Sequence, residues 1–441
     1  MSLKPEFRAV FTRAALYTLI ALMLAETTIN YVDRQVVSVL APTLRAEFGL
    51  TNGEYAAIVN AFLIVYAIAL GFAGWALDRF GLGRGLSLSV VWWSLAGMLH
   101  AFARGPLSLG ALRGVLALGE ASAWPAFAKA VALWVPPESR LLAIGICNSG
   151  SSIGAMIAPP LVAWITLTAG WRAAFLCTGA LGLVWTAAFL LFRHMHPEMA
   201  LSEQAGLPSA SVPAPAIPWA TLLRCRQTWA IFFCRFLADP LWYFFVFWIP
   251  DFLSKHRGLN LAAIGRVAWI PFLVSGLANL GGGYLAQRLQ RAGWSVNRTR
   301  KAFMVFSTVL SPVGIFAASA QTLNSTLLLI STAVFCWTFW SIAVHSLAGE
   351  FFPPRAVASV YGFAGVGSTL GSAIFTWAVG RTLDLTQNYS YVFIGLGFLM
   401  PLALLVGGGL MGKIEPINFE PINAMSLKPG PPPSVPHTPH R

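Results

Sequence analysis

An acid and a base stand side by side, at Asp33 and Arg34, inside the first long apolar run of the chain. That run extends from about residue 14 to residue 40, and apart from this pair only Glu26 is charged in it. On insertion scales a charged side chain at membrane depth costs about 2.5–3.5 kcal/mol, so such residues usually face a water-filled cavity or a partner. The pair therefore indicates a functional site inside a membrane protein.

A second acid and base, Arg113 and Glu120, lie in the fourth apolar run, and their spacing of seven residues puts them on one face of a helix. With a rise of about 1.5 Å per residue, Glu120 lies at the middle of its run, and Arg113 lies roughly 10 Å from the middle, level with Asp33 and Arg34. We expect these two acids and two arginines to converge at two depths. They could instead be structural ion pairs, although such a pair is no more stable than an apolar one.

The composition places these charges in a polytopic membrane protein. The 441 residues are 57% hydrophobic and 10% charged, whereas about 25% of the residues in a soluble domain are charged. Backbone groups find no hydrogen-bond partners in lipid, so apolar stretches of this length are predicted to be helices. The net charge of +13 is explained by basic loops, and we expect a lipid bilayer and no nucleic acid as partner. The five cysteines have no metal-ligand spacing.

The hydropathy pattern predicts an all-α protein with twelve transmembrane helices. They lie near residues 14–40, 54–77, 86–103, 107–132, 140–165, 173–193, 229–253, 262–287, 302–320, 324–349, 356–380 and 389–412. An even number of spans places both termini on one side of the membrane, and the distribution of lysine and arginine puts that side in the cytoplasm.

Two stretches of the sequence are repeated at similar offsets, which indicates a tandem duplication. Gly74 to Arg79 returns at Gly283 to Arg288, and the prolines at 136–137 return at 353–354. Two parallel six-helix halves form a known transporter architecture in which the substrate site lies between the halves near the midplane. The predicted parts are an N-terminal bundle (1–193), a cytoplasmic linker (194–228), a C-terminal bundle (229–412) and a disordered tail (413–441).

The loop after the second span carries a recognisable motif. Glycines there allow close helix approach and tight turning, and an acid can pair with an arginine or a helix N-terminus. The candidate cytoplasmic gate consists of Gly74, Asp78, Arg79, Gly81, Arg84 and Arg140. This motif resembles the signature of the major facilitator superfamily (MFS), and the resemblance extends over the twelve-span chain. It implies that the acid at position 78 latches the two halves in the outward-facing state.

A narrower resemblance rests on Asn30 to Arg34, on Arg113 with Glu120, and on the aromatic stretch from Asp239 to Pro250. These stretches are similar to the anion:cation symporter family, especially its hexuronate and sugar-acid transporters. The resemblance implies that Asp33 and Glu120 are proton-coupling sites and that Arg34 binds the substrate carboxylate. It also implies that Arg113 tunes the pKa of the acid on its own helix. The proton is the coupling ion, and no cofactor is expected.

Further polar and aromatic residues are candidates for the substrate cavity. They are Tyr31, Tyr66, Asn148, Ser151, Asp239, Trp242, Tyr243, Trp340 and Ser341. Any single aromatic residue among them could instead be a packing residue. Ala343 stands where the family commonly has an asparagine, which leaves the exact substrate open.

The sequence therefore predicts a proton-coupled symporter, not an enzyme, that imports an organic anion such as a hexuronate by alternating access. We expect a monomer in the cell membrane, the inner membrane of a bacterium by family resemblance. A transporter of another mono- or dicarboxylate is the first alternative. A drug or cation antiporter is disfavoured by the buried arginines, and a membrane sensor by the lack of a large soluble domain.

Overall fold

The computed structural model describes residues 12–135, 137–199 and 217–417. Within these ranges, the side chains at positions 74–76, 78, 128, 132, 137–142, 144, 148, 354, 355 and 358 are not described. The described ranges are helical and contain no strand. The helices are α1 (Arg13–Val39), α2 (Ala41–Phe48), α3 (Asn52–Phe80), α4 (Leu82–Leu99), α5 (Pro106–Glu120), α6 (Ala123–Trp134), α7 (Pro137–Ala169), α8 (Trp171–Met195), α9 (Trp219–Arg224), α10 (Arg226–Arg257), α11 (Leu261–Val267), α12 (Ile270–Arg291), α13 (Val296–Leu310), α14 (Leu323–Phe351), α15 (Pro354–Thr386), α16 (Tyr389–Ala403) and α17 (Gly409–Met411).

Eleven helical segments of the described ranges are long and apolar enough to cross a membrane. The predicted fourth span, residues 107–132, is wrong as a single helix, because the chain there forms α5 and α6 with a break at Ala121 and Ser122. Pro125 explains the break, since proline has no backbone N–H and its ring clashes with the carbonyl group four residues earlier. Glu120 is the last residue before this break.

The same pair of helices is packed together in each half of the molecule. In the first half α1 lies against α7, and in the second half α10 lies against α15. Glycines allow both contacts: a side chain at Gly154 would collide with the backbone of Thr28, and one at Gly371 with the backbone of Phe236. This parallel arrangement agrees with the duplication seen in the sequence.

The two halves meet through their central helices. Helix α1 contacts α10, α3 contacts α15, and α7 contacts α11 and α12. The end of the molecule that carries α2 is called here the α2 face, and the opposite end, where α8 ends and α9 begins, the linker face. Side chains of α1, α3, α5 and α10 meet at this junction.

The linker and the tail are described only in part. The predicted linker, residues 194–228, contains the end of α8 and the short helix α9. The tail was predicted to be disordered from residue 413, yet its first residues bind the C-terminal half. The N–H of Ile417 donates to the Phe351 carbonyl at 2.8 Å, and the N–H of Ile414 donates to Asn297 Oδ1 at 3.0 Å. The rest of the predicted tail, residues 418–441, lies outside the described residues.

Candidate functional site

Arg34 and Glu120 form a buried ion pair between α1 and α5. Nη2 of Arg34 lies 2.7 Å and Nε 3.0 Å from Glu120 Oε2, and both nitrogens donate to that oxygen. The Arg34 side chain is 2% exposed and that of Glu120 is fully buried. Asn30, one turn earlier on α1, accepts a further bond from Nη2 at 3.3 Å. The other oxygen of Glu120, Oε1, has no hydrogen-bond partner in the described part of the chain.

Arg113 lies two helical turns before Glu120, on the same face of α5. It has no carboxylate partner among the described residues. Its Nη1 donates to the backbone carbonyl of Arg34 at 3.4 Å. Its guanidinium group lies 4.5 Å from the ring of Phe62 and 5.8 Å from the ring of Phe247. The predicted proximity of the two arginines is therefore present, and a second positive charge stands beside the ion pair.

Asp33 forms no ion pair with Arg34 or Arg113 and lies beside α8, with Glu120 as its charged neighbour. Its side chain is 3% exposed, and neither carboxylate oxygen has a hydrogen-bond partner at bonding geometry within the described ranges. The Thr178 side chain of α8 lies beside it. The predicted convergence of four charges is thus observed for three of them, because adjacent residues on a helix project about 100° apart.

Glu26 is a buried acid that the sequence reasoning did not assign to the site. It lies seven residues before Asp33, close to two helical turns, and therefore on nearly the same face of α1 as Asp33. Its side chain is 3% exposed, and Oε1 lacks a partner among the described groups. Glu120 and the thiol of Cys147 are its charged and titratable neighbours. Glu26 is the only other charged residue in the first apolar run, and this position alone could have made it a candidate site residue.

Aromatic rings surround the guanidinium group of Arg34. Its Cζ atom lies 4.9 Å from the ring centre of Tyr31, 5.1 Å from Phe62 and 5.0 Å from Tyr66. Tyr243 of α10 faces the same group from the other half. Rings in this position attract a cation and leave its polar edges free for hydrogen bonds. Three predicted cavity residues, Tyr31, Tyr66 and Tyr243, are therefore brought together at Arg34.

The predicted tryptophans are packed within the C-terminal half. Trp242 stacks on Trp337 with ring centres 4.5 Å apart and packs edge-on against Phe272 at 5.8 Å. The hydroxyl of Tyr31 is also its neighbour. Trp340 is fully buried. The hydroxyl of Ser341 donates to the Thr338 carbonyl on its own helix at 2.8 Å.

A second ionic group lies on α10. Nε of Arg235 lies 3.0 Å from Asp239 Oδ2, one turn further along the helix. The guanidinium group of Arg235 also lies 5.1 Å from the ring centre of Tyr361. His345 of α14 is beside this pair and packs edge-on against Tyr361 at 6.0 Å.

The predicted gate motif lies on the linker face. Gly81 separates α3 from α4 with a φ of 79°, which glycine tolerates at no steric cost. Arg79 and Arg84 are exposed, and Ser151 lies half-buried on α7. The side chains of Asp78, Arg140 and Asn148, and the surroundings of Gly74, lie outside the described residues.

The two halves are bound to each other at the α2 face. Arg45 Nε lies 2.8 Å from Asp251 Oδ1, and the Tyr389 hydroxyl donates to Asp251 Oδ2 at 2.6 Å. Asp384 of α15 accepts from the backbone N–H groups of Asn52 and Gly53, at 2.9 and 2.8 Å. These are the first N–H groups of α3, so one half supplies an anion to a helix N-terminus of the other.

Comparison with known proteins identifies the architecture. Residues 23–376 match the Major Facilitator Superfamily. The chain belongs to this superfamily. The prediction of an all-α, multi-pass MFS transporter, not an enzyme, is thereby confirmed.

The relatives of this MFS protein include bacterial sugar-acid transporters. The hexuronate transporter of Escherichia coli (strain K12) is 33% identical over 404 residues, which cover 88% of this chain and 92% of the relative. The galacturonate transporter of Dickeya chrysanthemi is 36% identical over 284 residues, 62% of this chain and 82% of the relative. A bacterial homologue of the human lysosomal transporter Spinster, in an inward-facing and occupied conformation, shares the fold. Its TM-score is 0.67 at 16% identity, over 91% of this chain and 96% of the homologue.

Proposed function

We propose that this protein is a proton-coupled symporter that imports a sugar acid, in the class of the hexuronates. The observation that carries the proposal is the buried pair of Arg34 and Glu120, surrounded by tyrosines from both halves. An arginine binds a carboxylate through two parallel N–H groups, and tyrosine hydroxyls suit the hydroxyl groups of a sugar. The names of the relatives support the same class of substrate.

Coupling would follow from competition for one guanidinium group. While Glu120 is ionised it occupies Nε and Nη2 of Arg34, so the substrate carboxylate meets an arginine that is already neutralised. A proton from outside, bound by Glu120, removes that competitor and leaves Arg34 as the partner of the substrate. Release of substrate and proton inside would restore the ion pair. Asp33 would bind a second proton, because it is outside the ion pair of Arg34 and Glu120.

The direction of transport rests on the proposed orientation, with both termini in the cytoplasm of a bacterium and the α2 face outside. The described conformation then has its outer end closed by the contacts of Arg45, Asp251 and Asp384. Rocking of the halves about the site would open that end. Because two halves of one chain build the site, a monomer is sufficient.

Uptake by purified protein in liposomes tests the proposal. The panel contains glucuronate, galacturonate, galactonate, lactate and a dicarboxylate, each with and without an inwardly directed proton gradient. We expect the gradient to drive accumulation of at least one sugar acid inside the liposomes and no accumulation of lactate. Accumulation of none of the sugar acids, or uptake that ignores the gradient, would overturn the proposal. Accumulation of the dicarboxylate or lactate alone would favour transport of another carboxylate.

An antiporter for organic cations is opposed by the same geometry. Arg113 is fully buried beside Arg34, and no carboxylate of the described residues neutralises it. A cationic substrate would be repelled at short range in a low-dielectric site.

A further inference from the structure

Four residues of the C-terminal half form a polar group, called here the distal cluster: Arg235 and Asp239 of α10, His345 of α14 and Tyr361 of α15. The cluster is buried, with 12% of the Arg235 side chain and 5% of the Asp239 side chain exposed. Tyr361 is the exception, since 42% of it is exposed. Tyr361 is therefore the accessible member of the cluster.

Two tyrosines, Tyr31 and Tyr243, have both Arg34 and members of the distal cluster as neighbours. Tyr31, whose ring lies 4.9 Å from Arg34, is also a neighbour of Tyr361. Tyr243 is close both to Arg34 and to Asp239. These tyrosines thus connect Arg34 of the N-terminal half to the distal cluster of the C-terminal half.

Two buried polar atoms of the cluster have no hydrogen-bond partner in the described part of the chain. They are Nη1 of Arg235 and Nε2 of His345. A buried polar atom without a partner is unfavourable, and a ligand that satisfies these atoms would recover the lost free energy. Gly365 packs against this atom, since a Cβ atom there would be in ordinary van der Waals contact with Arg235 Nη1, at 3.8 Å.

The charge of the cluster limits the kind of ligand. The charges of Arg235 and Asp239 cancel within their ion pair at 3.0 Å. A second carboxylate of a substrate would meet an arginine that is already neutralised and an aspartate of its own sign. A neutral hydroxyl group can accept from Arg235 Nη1 and donate to Asp239 at the same time, and a ring oxygen can accept from Nη1.

We propose that the distal cluster binds the hydroxyl-rich end of a sugar monocarboxylate whose carboxylate is held at Arg34, and that Asp239 excludes sugar dicarboxylates. The inference rests on the proposed function. It adds that the protein selects uronates, which have one carboxylate, over aldarates, which have two. The ligand is a sugar acid with one carboxylate, which would reach from Arg34 past Tyr31 and Tyr243 to the distal cluster.

Direct binding to the purified protein at one fixed pH tests the inference, with galacturonate, galactarate and lactate as ligands. In the wild type we expect galacturonate to bind at least about tenfold more tightly than galactarate or lactate, a difference of about 1.4 kcal/mol. Equal binding of lactate, which lacks the distal hydroxyls, would overturn the role of the cluster without any mutation.

Asp239→Asn then removes the negative charge and leaves Arg235 as a second free cation. We expect galactarate affinity to rise at least about tenfold relative to galacturonate. Glu350→Gln is the matched control, because Glu350 pairs with Arg300 at 3.1 Å elsewhere in the same half, and its selectivity should equal that of the wild type. Arg235→Lys keeps the charge and shortens the donor, so it should weaken galacturonate binding without admitting galactarate.

The outcomes separate the two proposals. If no sugar acid binds the wild type, the proposed function fails. If galacturonate binds but Asp239→Asn, folded as judged by its thermal unfolding, keeps the wild-type selectivity, the inference is wrong while the proposed function stands. Should the Asn variant fail to fold, Arg235→Lys and the wild-type comparison with lactate decide the question.

Discussion

At the scale of residues, the proposed coupling depends on which carboxylate binds the guanidinium group of Arg34. Depth along the helices placed Glu120 one layer away from Arg34, whereas the structure shows them in direct contact at 2.7 Å. Depth arithmetic follows the backbone, and the long arginine side chain reaches across a layer. The same arithmetic could not show that Asp33 points to α8, because helix rotation is set by packing. Residue types and spacing predicted which charges matter, and packing determined which of them meet.

Arg34→Lys tests whether the fork of the guanidinium group matters or only its charge. Lysine keeps the charge but cannot present two parallel N–H groups to a carboxylate. We expect galacturonate affinity, measured by calorimetry, to fall at least about tenfold. Arg300→Lys, made in the pair with Glu350 outside the site, should bind as the wild type does. Unchanged affinity in Arg34→Lys would show that the substrate carboxylate is held elsewhere.

At the scale of elements, helix ends place the functional groups. Pro125 ends the continuous run of the fourth span and leaves Glu120 at a helix end, which the hydropathy pattern did not reveal because both pieces are apolar. Thr51 and Glu54 form a capping box that starts α3, a pattern readable from sequence. Asp384, the second carboxylate at this helix end, is 331 residues from Gly53 in the sequence. No local sequence pattern could therefore predict this contact.

Asp384→Ala should loosen the α2 face, because the first N–H groups of α3 lose their partner from the other half. An N-terminal cap contributes about 0.5–2 kcal/mol, enough to shift the balance between closed and open states severalfold. Spin labels at positions 104 and 386, in a background where the exposed Cys177 is replaced by serine, report the separation of the halves. In the Asp384→Ala variant we expect a larger fraction of molecules in which the two labels are far apart.

Thr51→Ala is the control for this experiment, since it removes a cap of the same helix that comes from its own half. It should lower thermal stability without separating the labels. Identical distance distributions for Asp384→Ala and the wild type would mean that Asp384 does not hold the halves together.

At the scale of the whole molecule, the duplicated sequence predicted the architecture well. The repeats around Gly74 and Gly283 correspond to two halves with the same helix pairing. Hydropathy identifies spans because lipid permits few alternatives to a helix. The contacts between the halves were not predictable, since they join residues such as Ser38 and Val246, whose hydrogen bond of 2.7 Å connects positions 208 residues apart. The candidate site lies at this junction, so the sequence indicated its members but not their partners.

The central claim is that Glu120 couples a proton to substrate binding by competing for Arg34. Glu120→Gln removes the ionisable competitor and keeps a side chain of nearly the same size. Liposomes containing this variant should exchange labelled for unlabelled galacturonate at near the wild-type rate, yet fail to accumulate galacturonate under an inward proton gradient. Accumulation by Glu120→Gln to the wild-type level in that gradient would contradict the account.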